Sequence, residues 1–89
     1  MTTGDVLDPA ERVRALIGAM APEPRTDLDA EQRLIEDIGF DSLRLMELTV
    51  VLERTFDLPR YRPEQLFGVR RVGDVVTLVT TSLAEEGRA

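Results

Sequence analysis

An all-α domain, a small bundle of three main helices and one short one, is the fold class that this sequence predicts. Three observations predict it. Apolar residues recur at three- and four-residue spacing in three separate stretches. Asp-Pro and Pro signatures stand where helices should begin, and Gly or Pro where they should end. The length, 89 residues, leaves room for one domain with one modest core.

The elements follow in order. Residues 1–7 read as a tail, and Asp8-Pro9-Ala10-Glu11 then combines a capping Asp, a Pro at the first helical position and a Glu within the first turn. A helix is therefore expected over about Pro9 to Met20, with Ala10, Val13, Leu16, Ile17 and Met20 on one face and Pro22 and Pro24 ending it. Ala21 to Asp41 is a long connection. Leu28, Leu34, Ile35 and Ile38 are expected to pin it to the core, Asp29-Ala30-Glu31-Gln32 to make a single turn, and Gly39 to allow a bend before the next helix.

Ser42 to Phe56 reads as the second main helix, with Asp41 or Ser42 as its cap. At about 100° per residue, Leu45, Leu48, Thr49, Leu52 and Phe56 fall on one side for the core. Leu43, Met46 and Val50 fall nearly opposite, beside Glu47 and Arg54, and a helix with only a core to fill does not need that second stripe. Pro63 to Phe67 forms a short third helix stopped at Gly68. Val72 to Glu86 forms the last, with Val72, Val75, Val76, Val79 and Leu83 on one face. Its Val and Thr content also suits a strand, but the three-and-four spacing fits better than alternation. Residues 8–86 are thus the expected domain, and 87–89 a short C-terminal tail.

Composition excludes several chemistries. With no Cys there is no disulfide, no thiolate nucleophile and no Cys-ligated metal. With no His, the Ser-His and Cys-His nucleophile pairs and His-based acid–base or metal chemistry are also absent. The reading is therefore a non-enzyme with no metal site in the isolated chain. The net charge of −6 disfavours nucleic acid as a partner. No leader pattern opens the chain and no stretch is long and apolar enough for a bilayer, so a cytoplasmic, soluble monomer without membrane contact is expected.

Charge is unevenly placed. From Asp27 to Glu53 eight acids face only Arg33 and Arg44. From Asp57 to Arg71 the balance reverses, with Arg60, Arg62, Arg70 and Arg71 against Asp57 and Glu64.

Taken alone, Asp41-Ser42-Leu43 is no more than a cap at a helix start. Its surroundings say more. Leu34-Ile35-Glu36-Asp37-Ile38-Gly39-Phe40-Asp41-Ser42-Leu43, continued by Met46-Glu47-Leu48, Leu52-Glu53 and Phe56, and later by Val72-Gly73-Asp74-Val75-Val76, resembles the acyl carrier protein family over roughly Asp8 to Leu83. That resemblance implies a bundle of the acyl-carrier type in which a phosphopantetheinyl transferase moves a 4′-phosphopantetheine arm from coenzyme A onto Ser42, with magnesium at the phosphates and Asp41 beside it. The arm's thiol then holds cargo as a thioester, which a chain without Cys could not do with its own side chains. The resemblance further implies that Glu36, Asp37, Glu47 and Glu53 meet basic docking surfaces, and that Leu43, Met46 and Val50 contact partner enzymes or, for Val50 equally, close over cargo. Those partners would be the transferase, an acyl- or aminoacyl-loading enzyme, and synthase or tailoring enzymes.

The chain departs from the family in its arginine-rich region before the last helix, and Arg71 stands where a Thr cap is common. Together with Arg44 just after the serine, this points to a discrete carrier of polyketide or nonribosomal peptide biosynthesis rather than of fatty-acid synthesis. The absence of paired glycines before Ser42 points to acyl cargo. The alternatives are an aminoacyl or peptidyl carrier, or a degenerate docking module that is never modified.

Overall fold

The computed structural model describes residues 8–87. It contains α1 (Pro9–Met20), α2 (Ser42–Thr55), α3 (Pro63–Leu66) and α4 (Val72–Glu85). The small helical bundle is therefore present, and among the described residues there is no strand, only one bridge between Arg33 and Arg71. The tail assigned to residues 1–7 lies outside the described residues, as do positions 88 and 89. Phe56, Phe67 and Glu86, expected as the last helical residues, are caps instead.

Each helix end has a local cause. Asp8 accepts a hydrogen bond from the Glu11 N–H at 2.8 Å, and Pro9 fills the first position of α1. At the end of α2, the Asp57 and Leu58 N–H groups bond back to the carbonyls of Arg54 and Glu53, at 3.3 and 2.8 Å. Asp57 takes φ 54° to do so, the left-handed position usually held by Gly. Arg71 provides no side-chain cap for α4. Asp74, three residues on, accepts from the N–H groups of both Arg70 and Arg71, at 3.0 and 2.9 Å.

α1 packs chiefly on α4 and also on α2. The seam consists of Val13 and Ile17 from α1, Leu48 and Leu52 from α2, and Val72, Val75, Val79 and Leu83 from α4, all buried. Gly18 sits where α1 meets its own following loop: a Cβ there would lie 2.0 Å from the Arg25 carbonyl oxygen, and the Arg25 N–H bonds to the Gly18 carbonyl at 3.1 Å. No side chain fits that crossing.

The long connection is ordered by the backbone as well as by apolar anchors. Asp29 to Gln32 does form a turn, closed by Gln32 N–H to the Asp29 carbonyl at 3.0 Å. The chain then crosses the start of α4, where Leu34 N–H donates to the Arg70 carbonyl at 2.8 Å and Val72 N–H to the Gln32 carbonyl at 3.0 Å. Leu34 and Ile38 are buried as expected, but Ile35 is 53% exposed. The reason is directional. Residues 33–38 wind as a helical turn, so side chains four apart share a side, and burying Leu34 with Ile38 leaves Ile35 outside.

Candidate functional site

The start of α2 is positioned from behind. Gly39 takes φ 97°, turning the chain outward. Phe40 is buried among the core residues, and its N–H reaches the Leu34 carbonyl at 2.9 Å. Asp41 then caps α2, one carboxylate oxygen accepting from the Arg44 N–H at 2.8 Å, so the cap is Asp41 and Ser42 is the first helical residue. Ser42 is exposed. Its hydroxyl stands at a helix N-terminus, where unpaired N–H groups and the helix dipole favour an anion. The chain has no His to activate it. An accessible, unactivated hydroxyl at a site that stabilises negative charge fits a phosphodiester attached by another enzyme.

Leu43 and Met46 are 67% and 65% exposed and Val50 is 44% exposed. They share one side of α2, and none of them lines the apolar cavity behind it. That cavity, about 90 Å³, is bounded by Leu45, Leu48, Thr49 and Leu52 of α2 against Val69 and Val75. Two further apolar residues are exposed: Ile35, which was expected to anchor the long connection, and Phe67 at the end of a helix too short to show periodicity.

The four acids assigned to docking are not equivalent. Glu36 and Glu47 are exposed, and their carboxylates make no hydrogen bond among the described residues. Asp37 accepts from the Arg33 N–H at 2.7 Å and its Nε at 3.3 Å, and these bonds, the backbone one first, hold its carboxyl below the usual carboxylate range. Glu53 is half-buried and accepts from the Tyr61 N–H at 2.7 Å, tying the loop after α2 to the helix. Tyr61 had no marker in the sequence, yet it is buried and its hydroxyl donates to Ser82 Oγ at 3.0 Å; burial pushes the phenol upward from its ordinary value.

Arg44, which the sequence offered as a mark of pathway, turns back to donate to the Met20 carbonyl at 3.2 Å, at the C-terminal end of α1. That is a structural use of the cation. The other arginines divide into two places. Arg60 and Arg62 border a groove with Ser82, Glu85 and Glu86, while Arg70 and Arg71 border a separate cavity with Arg33 beside the turn at residues 33–36.

Residues 11–79 match the protein family described as "Phosphopantetheine attachment site". The chain is 33% identical over 75 residues to an acyl carrier protein of Clostridium acetobutylicum, covering 84% of this chain and 96% of that one. It is 34% identical over 74 residues to an acyl carrier protein of Saccharopolyspora erythraea, covering 83% and 77%. A solved structure from Mycobacterium tuberculosis described as an acyl carrier protein superposes with a TM-score of 0.70 at 33% identity, covering 89% of this chain and 99% of the other.

Proposed function

Because the chain belongs to the acyl carrier protein family, non-catalytic proteins with a covalently attached 4′-phosphopantetheine, we propose that Ser42 is the attachment residue and that 8–86 is the carrier domain. One observation carries this reading: Ser42 is the exposed first residue of α2, held in place by the Asp41 cap and the buried Phe40, inside the matched region. The arm, once attached, supplies the thiol on which cargo is held as a thioester. The protein supplies position and charge.

Members of this family work with phosphopantetheinyl transferases and synthase enzymes. During attachment, the Asp41 oxygen not used in capping would assist the transferase's magnesium. In this reading the ion belongs to that encounter and to the phosphates. Leu43 and Met46, with Val50 beside them, form the apolar contact, and Glu36 and Glu47 are the acids most available to a basic partner surface, where they would speed encounter more than add affinity. Asp37 and Glu53 are docking acids in this reading too, but their carboxylates already hold local structure.

No helix among the described residues is long and apolar enough to cross a membrane. We place the carrier in the cytoplasm, in a polyketide or nonribosomal peptide pathway, with acyl cargo. The support for that pathway is the pair of arginine groups at 60/62 and 70/71; loading trials with acyl-coenzyme A donors and with amino acids plus their activating enzymes separate acyl from aminoacyl cargo.

The attachment is tested by incubating the protein with coenzyme A, magnesium and a broad-specificity phosphopantetheinyl transferase, then measuring intact mass. The wild type should gain one phosphopantetheine and Ser42→Ala none. No gain on the wild type would overturn the carrier reading in favour of an unmodified docking module.

A further inference from the structure

Where the long connection crosses the start of α4, two stretches far apart in sequence are locked side by side. Leu34 N–H donates to the Arg70 carbonyl at 2.8 Å, and Arg33 pairs with Arg71 in an antiparallel bridge. This crossing sets Ile35 and Glu36 together with Arg70 around one surface cavity of about 360 Å³. Ile35 is 53% exposed there, although Leu34 beside it is buried.

The charges around this cavity differ in what already holds them. Arg33 is engaged by Asp37, Nε to Oδ2 at 3.3 Å. Arg71 donates from Nε to the Glu31 carbonyl at 3.2 Å and lies 3.8 Å from the Glu31 carboxylate. Asp74 is occupied by the N–H groups of Arg70 and Arg71. The Arg70 guanidinium, in contrast, has no hydrogen bond or ion pair among the described residues, while its N–H and carbonyl are both bonded. A fixed main chain thus presents an uncommitted fork of donors and, across the crossing, an exposed isoleucine. A planar guanidinium matches a carboxylate in charge and geometry. Because the two elements are already tied, a partner that touches both would order little further backbone.

We propose that this crossing is a docking surface for a partner protein that sets an apolar side chain on Ile35 and a carboxylate on Arg70. The inference is independent of whether Ser42 bears the arm. Glu36 borders the same cavity and makes no ion pair among the described residues, so a partner that also meets Glu36 must carry a base beside its acid. Such a surface discriminates by the order of charges as well as by their sign.

The test titrates the full, unmodified chain, labelled with nitrogen-15, with three capped hexapeptides: alternating leucine and glutamate, alternating leucine and lysine, and alternating serine and glutamate. The leucine–glutamate peptide should move the backbone amides of Ile35, Arg70 and Arg71 and the Nε–H signal of Arg70, with a dissociation constant of roughly millimolar order that rises with salt. Arg70→Gln should weaken that binding about two- to fivefold, as expected for one exposed charge pair. Ile35→Ser should weaken it too, and the serine–glutamate peptide should bind less well than the leucine–glutamate one. Arg60→Gln, in the separate groove near Ser82, should leave binding unchanged. The leucine–lysine peptide should leave the Arg70 Nε–H signal in place. Signals that move only elsewhere or not at all, equal effects of Arg70→Gln and Arg60→Gln, or a lysine peptide that moves the Arg70 side chain as strongly would overturn the proposal, and none of these outcomes bears on attachment at Ser42.

Discussion

Two helix starts in this molecule, those of α2 and α4, are built from similar parts and put to opposite uses. Both have an Asp accepting main-chain N–H groups near the first turn, Asp41 at the cap of α2 and Asp74 at the third position of α4. At α4 the start is tied to the long connection: Val72 is fully buried, and the N–H groups of Val72 and Gly73 bond to the Gln32 and Ala30 carbonyls at 3.0 and 2.9 Å. At α2, residues 41–44 are all exposed, and the anchors are Phe40, just before that run, and the side chain of Arg44, which reaches back to α1. A helix start stapled on every side stabilises a fold. One held only from behind leaves its first residues for another protein to reach.

The largest expected effect tests the anchor behind α2. Phe40→Ala removes a buried ring and should cost about 3–5 kcal/mol in urea unfolding, while Ser42 in the remaining folded protein should still accept the arm. A loss under about 1 kcal/mol would mean that Phe40 does not hold α2 in place.

Next are the two aspartates. Asp74→Ala frees two N–H groups and should cost about 1–2 kcal/mol, and Asp41→Ala, which frees one, about 0.5–1 kcal/mol; the order should be visible as unequal urea midpoints. Asp74 also brings a pH dependence. The Arg70 and Arg71 N–H groups hold its carboxyl below the usual carboxylate range. A depressed folded-state pKa gives stability that is complete above the unfolded value, near 4, and is lost as pH falls through the folded one. Amide protection at the start of α4, measured relative to the unfolded chain at the same pH, should therefore fall in acid, and Asp74→Asn should flatten the wild-type decline below about pH 4.

The smallest effect on stability is expected on the open side. Leu43→Ser and Met46→Ser should change unfolding free energy by no more than about 0.5 kcal/mol, because both side chains are already in solvent. Transfer of the arm should nevertheless slow measurably for both. Unchanged transfer kinetics would remove the apolar stripe from the partner contact.

Much of this architecture is legible without coordinates. Periodicity marks the core faces of α1, α2 and α4 because a helix repeats its sides every three to four residues, and Val13, Ile17, Leu48, Leu52, Val75 and Val79 are buried as that spacing requires. Pro9, Pro63 and Asp8 mark helix starts through backbone chemistry local to those positions. The candidate site was suggested by resemblance and not by pattern: Asp41-Ser42 by itself is a helix cap, and only the family-like run from Leu34 to Phe56 singles out the serine.

What the pattern could not carry involves partners distant in the chain. Ile35 looks as apolar as Leu34, and only the winding of residues 33–38 chooses which of the two is buried. Arg44 resembles a surface cation until α1 brings the Met20 carbonyl to it, and Glu53 resembles a docking acid until the loop returns Tyr61 to its side. Gly18 is one more small residue in a helix until Arg25 crosses it. The sequence by itself determined the helices, their buried faces and the exposed serine, since these depend on local periodicity and capping. Tertiary structure alone decided which charges are spent on the fold and which, like Arg70 and Glu47, stay free, because a charge is committed only by what the folded chain places within hydrogen-bonding reach of it.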